Sequence, residues 1–514
     1  MKAVVKSILF VAISTNIYAQ NASDLDVSFG VNGKVFTDFN GQEELGSSVA
    51  IQPDGKIILA GTGIVNTADG YDFCVARYNT DGSLDGSFGT NGKANFEITN
   101  FILSNKKDHA TGVALQSDGK IVLVGYAPNA NFSTADNNFA VVRLNSNGTL
   151  DPSYATNGLL RIGFGGLGSR ANAVKIQADN KAVVVGFSKT TSANNDYAIA
   201  RINTDGSLDT DFSNDGKHVV PFGTYDMATA LAIQTDGKIL VGGDAENQLG
   251  LVRFTAFGVL DNTFGIGGKV LTPIAGGTEK ITSVAVQTNG KIVCGGTRYN
   301  NASFNFLLVQ YNPNGTLDQT FGTAGITTTD IDNNSEDLAT SIALQTDAKI
   351  LLVGTCNTNG TDYFAINRFN NNGILDSTFS TDGIQLTAMN GTQANAVLIQ
   401  NDGKIVVGGG IYLGASSAAN FGLARYLGNS FLGTDNFEPS SKLKIYPNPV
   451  RSCLQIGIDN ENLVGSAYQI LDARGKVILE KNIVSLPCFI DVESLVEGAY
   501  VLKIKNLAKK FIKE

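Results

Sequence analysis

Apolar and polar positions along the chain fall into short phrases that return with a period between 50 and 70 residues. In the first repeat, Ser48-Val49-Ala50-Ile51-Gln52 alternates small and large apolar residues, Pro53-Asp54-Gly55 turns the chain, and Lys56-Ile57-Ile58-Leu59-Ala60 runs on as an apolar segment. This pattern predicts a hairpin. A third strand follows at Phe73 to Tyr78, and a fourth at Lys93 to Ile98 after Asp81-Gly82-Ser83-Leu84-Asp85-Gly86-Ser87-Phe88-Gly89. Runs such as Ile121 to Val124 and Ala182 to Val185 are apolar without alternation. Such runs suit strands covered on both faces by neighbours. Four short strands per repeat and no helical period predict the blades of a β-propeller.

The phrase of a Gln, a tight turn and a Lys occurs seven times, from Gln52 to Lys56 through Gln400 to Lys404. One turn position holds Gly55, Gly119, Gly237, Gly290 and Gly403, then Asn180 and Ala348. That series predicts a positive φ, with Ala348 strained by about 1 kcal/mol. The last third strand ends near Tyr426 with no fourth-strand phrase after it, whereas Leu25-Asp26-Val27-Ser28-Phe29-Gly30 leads into Lys34 to Phe39 before any hairpin. The N-terminal strand should therefore complete the seventh blade and close the ring.

Ala-Ile-Gln-Pro-Asp-Gly-Lys (50–56), Val-Ala-Arg-Tyr-Asn (75–79) and Leu-Asp-Gly-Ser-Phe-Gly (84–89) resemble the bacterial delta-60 repeat family over roughly residues 24–427. The resemblance implies a β-propeller and brings no biochemical function with it. After a Gly-, Ser- and Asn-rich linker at 428–441, a different alternation begins. Its Tyr446-Pro447-Asn448-Pro449 opening, Gly475-Lys476, the Gly498-x-Tyr500 strand and the basic end Lys509 to Lys513 resemble the type A C-terminal sorting domain of the Bacteroidetes type IX secretion system. That resemblance implies a small Ig-like sandwich over 442–514, the type IX secretion machinery as partner, and a secreted or outer-membrane surface location.

Composition narrows the function further. The first 19 residues, with Lys2, Lys6, the apolar stretch Ile8 to Ile13 and Ala19 before the expected cleavage, read as a signal peptide, and no later stretch has the length of a transmembrane segment. A net charge of −9 without a basic stripe excludes nucleic acid as the expected partner. The two histidines, His109 and His218, fit no zinc or triad spacing. Of five cysteines, Cys453 and Cys488 are a possible disulfide in the small C-terminal domain, and Cys74, Cys294 and Cys356 read as buried hydrophobes.

The recurrent Leu-Asp aspartates (Asp26, Asp85, Asp151, Asp209, Asp261, Asp318, Asp376) and the third-strand arginines read as structural, closing Asx-turns and pairing ions between blades. Asn79-x-Asp81-Gly82-x-x-Asp85 is only superficially a calcium loop. The connections on the opposite face share neither length nor sequence, and function usually sits on such a face. Eight residues before each Gln stand Glu44, Asp108, Ser169, Asp226, Glu279, Asp337 and Thr392. The five acids form a candidate ring for a cation such as calcium or for a sugar, against the plainer reading of solvated loop acids.

The expected fold is all-β: a seven-bladed β-propeller closed by an N-terminal strand, followed by a small Ig-like β-sandwich. The expected function is an exported scaffold that binds an extracellular glycan, polymer or protein through varied loops on one face. The alternative is a carboxylate- or metal-dependent hydrolase, lyase or lactonase with its site at the channel mouth.

Overall fold

In the computed structural model the described residues are 21–39, 42–65, 70–98, 107–128, 137–300, 302–332, 335–389, 391–412, 419–428, 443–458, 465–472, 477–485, 488–504 and 507–514. The expected signal peptide, Gly475 and nearly all of the linker lie outside them. The chain divides into two compact units, Gln20–Phe431 and one containing Leu432–Glu514.

The first unit is seven four-stranded antiparallel sheets. Six take their strands in chain order, and in the seventh Lys34–Thr37 pairs with Ala419–Tyr426, Lys34 opposite Ala424 and Thr37 opposite Phe421. The ring thus closes through its N-terminal strand. The first strands (Glu44–Ile51, His109–Leu115, Ser169–Ile176, Asp226–Ile233, Thr278–Val286, Glu336–Leu344 and Thr392–Ile399) touch one another around the whole ring and form its inner wall.

Apolar cores lie between blades rather than within them. Phe73, Val75 and Phe88 of the first blade pack with Ile121, Leu123 and Val142 of the second, all fully buried. The second strands are therefore buried on both faces, which accounts for their unbroken apolar sequence. The first fourth strand is shorter than expected, Lys93–Phe96, because the Ile98 N–H leaves the sheet to bond Asp108.

Every first strand carries a bulge, five residues before its Gln, at Ser47, Thr111, Asn172, Thr229, Thr282, Thr340 and Asn395. The bulge frees a polar side chain from the ladder. Thr111, Asn172, Thr340 and Asn395 donate to first-strand carbonyls of the next blade, those of Ala171, Ala228, Ala394 and Gly46, at 2.7–2.9 Å.

The repeated hairpin is a type I turn closed by a left-handed residue. In the first, the Gly55 N–H bonds Gln52 O at 2.9 Å and Asp54 Oδ1 accepts the Lys56 N–H at 3.1 Å. The φ values are +85° at Gly55, +65° at Asn180 and +66° at Ala348. A Cβ in this region clashes with its own carbonyl. Ala348→Gly is expected to stabilise the propeller by about 1 kcal/mol, read as a higher urea midpoint at unchanged slope.

The C-terminal unit is a two-sheet sandwich. Leu443–Tyr446, Cys453–Ile458 and Cys488–Asp491 form one sheet, and Ala467–Asp472, Val477–Asn482, Gly498–Ile504 and Leu507–Lys513 the other. Leu454, Ile456, Ile470, Leu502, Ile504 and Phe511 fill its core. Tyr446 and Pro447 lead out of the first strand, Asn448 Oδ1 accepts the Ile512 N–H at 2.9 Å just before Pro449, and Gly498 opens the strand in which Tyr500 stacks on Phe511. The proposed Cys453–Cys488 bridge is not formed: Cys453 is a free, exposed thiol. The register pairs Cys453 with Asp491 and Cys488 with Ile456, three rungs apart. That is roughly 10 Å along the strands, beyond the ~7 Å a disulfide tolerates between Cα atoms.

Candidate functional site

One face of the propeller is consumed by its own repeat. In the first blade, Asp85 Oδ2 takes Lys56 Nζ at 2.9 Å and Arg77 Nε at 2.8 Å, while Oδ1 accepts the N–H and O–H of Ser87. Arg77 lies over Phe88 at 4.7 Å and donates to Ser146 O of the next blade at 2.5 Å. Lys120, Arg143, Asp151 and Tyr154 repeat this cluster, as do Lys404, Arg425, Asp26 and Phe29 across the closure. The recurrent ion pairs thus lie within blades, and what crosses to the next blade is a guanidinium bond to a backbone carbonyl. The calcium-loop carboxylates are likewise taken, Asp81 Oδ1 accepting the N–H and O–H of Ser83.

The five acids of the expected ring are buried, not solvated: Glu44, Asp108, Asp226 and Asp337 fully and Glu279 nearly so. Asp108 accepts the Ile98 N–H at 2.7 Å, Asp226 those of Phe222 and Gly223 at 2.8 and 2.9 Å, and Asp337 the Ile331 N–H at 2.8 Å with the Ser335 hydroxyl at 2.7 Å. Glu279 pairs with Arg298 at 3.4 Å, and Glu44 packs over Gly63. Several of these acids hold down the connection arriving from the previous blade. Among the described residues no three His, Cys, Asp or Glu side chains are grouped to hold a metal ion. Within the described residues the five acids are therefore not gathered at one point.

The two sets of carboxylates titrate in opposite directions. For Asp26, burial favours the neutral form, but the bonds from Ser28 and Lys404 and the charges of Arg425 and Lys404 outweigh it and bring the pKa to about 2. The other clamp aspartates are also lowered. Burial raises Asp226, Glu279 and Asp337, and raises Asp244 to about 6, with the Asp226 charge adding to the effect. A raised carboxyl binds its proton more tightly when folded, so stability should grow as pH falls from 7 towards 5. A lowered one gives stability that is present above pH 4 and lost as pH falls towards 2. Urea midpoints should therefore peak near pH 5, and Asp244→Asn should flatten the slope between 7 and 5; a steady fall from pH 7 would reject this assignment.

One cleft on the varied face, among the described residues, lies in a blade that lacks the acid. Ser169 takes that position in the third blade, bonded to the Phe139 N–H at 3.2 Å. Beside it is a cleft of about 200 Å³ lined by Asn137, Gly168, Arg170, Phe187, Lys189 and Asn195. Strand ends build it: Ser169 and Arg170 begin the first strand, Phe187 and Lys189 lie near the end of the second, and Asn195 near the start of the third. Arg170 lies over the Tyr126 ring at 4.5 Å, and Tyr126, His109 and Tyr71 continue as a stack with 4.9 Å between successive centroids. Burial, then Arg170 and Lys107, lower the His109 pKa to about 4. The imidazole is neutral at neutral pH. Arg170 and Lys189 were not singled out in the sequence; the signal was the break in the acidic series at Ser169, followed directly by an Arg.

Residues 52–88, 116–154, 177–212, 234–264, 287–321, 345–379 and 400–432 match the family described as a domain of unknown function (DUF5122) beta-propeller. Residues 444–514 match the secretion system C-terminal sorting domain. The protein is a seven-bladed β-propeller of these repeats. It carries a type IX sorting domain and is exported by that route to the cell surface or beyond. No curated protein is significantly similar in sequence. Among solved structures, a catalytically inactive virginiamycin B lyase from Staphylococcus aureus with quinupristin is 11% identical, over 76% of this chain and 98% of that one, with a TM-score of 0.42. An ulvan lyase of polysaccharide lyase family PL25, bound to a saccharide, is 11% identical over 77% and 96%, with a TM-score of 0.42. PorZ, a surface component of the type IX secretion system of Porphyromonas gingivalis, is 13% identical over 91% and 59%, with a TM-score of 0.41. At these scores nothing of their activities transfers to this chain.

Proposed function

We propose that the protein is a surface or secreted scaffold that binds an extracellular ligand through the varied face of its propeller. The observation that carries this reading is the division of labour between the faces. On one, the Lys, Arg, Asp and aromatic residues of the repeat are spent on one another; on the other, the cleft beside Ser169 keeps charged and amide groups facing outward. Concave sites with a few placed polar groups and an aromatic wall are the usual form of ligand pockets.

A glycan-array screen of the exported chain, with and without calcium, tests it. Retention should fall with Phe187→Ala or Asn195→Ala and be indifferent to Asp54→Asn on the repeat face. An array that holds nothing, or retention lost only with Asp54→Asn, would reject the reading.

A further inference from the structure

We infer that the cleft beside Ser169 takes the acid group of an anionic saccharide, a carboxylate or sulfate held between Arg170 and Lys189 with the sugar ring against Phe187; this rests on the reading that the varied face binds a ligand. The first ground is charge. Among the described residues no acidic side chain lines the cleft, and neither cation makes an ion pair with another described residue. Arg298, near the end of the second strand of the fifth blade, has Glu279 beside it at 3.4 Å. Two cations lining one cleft with no counter-charge among the described residues, on a protein of net charge −9, make a local positive site in an otherwise acidic molecule.

The second ground is preorganisation. Tyr126 fixes the Arg170 guanidinium from one face at 4.5 Å, and His109 and Tyr71 back that ring. A guanidinium held in place presents its paired N–H groups to a planar or tetrahedral oxyanion with little further ordering. Arg170 is exposed at its outer side, so its remaining donors are available. The neutral imidazole in the stack adds no competing charge.

The remaining lining distinguishes a saccharide from an acidic peptide. Asn137 and Asn195 offer both donors and acceptors, which suits hydroxyl groups, and Phe187 offers a flat apolar face. At about 200 Å³ the cleft is smaller than pockets for drug-sized ligands and suits one or two units of a longer chain. A peptide held by strand addition needs an exposed sheet edge. Here the cleft is built from strand ends and contains none.

The test measures binding of the full chain to a galacturonate tetrasaccharide, its carboxyl-reduced galactose counterpart, a sulfated galactose tetrasaccharide and a glutamate tetrapeptide. The uronate or the sulfated probe should bind at least about tenfold more tightly than the neutral sugar, as expected for a charge-assisted pair, and the stronger of the two identifies the acid group. Arg170→Gln and Lys189→Gln should each remove about tenfold of that preference, and added salt should weaken only the anionic probes. Equal affinity for anionic and neutral sugars, variants that bind the anionic probe as the parent does, or tighter binding of the glutamate peptide would overturn the inference while leaving a ligand-binding face. Failure of every probe together with an empty glycan array would overturn both.

Discussion

Removing residues 21–39 is expected to destabilise the propeller by more than about 6 kcal/mol, since the loss of two buried phenylalanines alone is of that order. Phe29 is fully buried and Phe39 nearly so, both packed with Phe421, Leu423 and Val406 at the seam of the seventh and first blades. The same segment supplies Asp26, the partner of buried Arg425 at 2.8 Å, and the strand that covers the edge of Ala419–Tyr426. Typical domains hold only ~5–15 kcal/mol in all. The truncated chain should therefore lose its cooperative melt or associate through the opened edge, both visible by calorimetry and size-exclusion chromatography. A truncated protein that melts like the parent as a monomer would show that the strand adds nothing to the ring.

The second large effect is expected at the blade clamps. Asp151→Ala strands Arg143, which is almost fully buried, and should reduce stability by about 3–5 kcal/mol. Asp318→Ala should be distinctly milder. In that blade Gln310 replaces the arginine and bonds Gln287 Oε1 at 3.1 Å, so among the described residues the cation paired with Asp318 is Lys291 alone, whose side chain is 30% exposed and can rehydrate. Urea denaturation of both variants measures the difference. Equal losses would mean that the arginine contributes little beyond the lysine.

The architecture was legible because a repeat writes the same physical demand seven times, a left-handed turn residue at Gly55 and its counterparts and a buried second strand, and because a Leu-Asp phrase stands before the first hairpin and is missing after the last. The acids were placed on the right strands, but whether they faced water was not legible. A carboxylate beside a variable loop has the same sequence whether it points outward or, as Asp108 and Asp226 do, turns inward onto backbone N–H groups. The polar bulge five residues before each Gln was present in every repeat and went unread, because a Thr within an alternating strand looks like an ordinary outward position. The Cys453 and Cys488 pair failed for a different reason. Proximity in a small domain does not fix strand register, and register decides whether two thiols meet.

Closure through the N-terminal strand also sets an order of events. Asp26 and Arg425 are separated by 399 positions, so the contact that locks the ring joins nearly the first and nearly the last propeller residues to be synthesised. Contacts of such long range form slowly, because the chain must give up its loop entropy before they repay it. Until the seventh blade exists, the Lys34–Thr37 segment has no partner and the growing chain has no finished fold. In this late rendezvous of its two ends the chain has a built-in delay before the ring is complete.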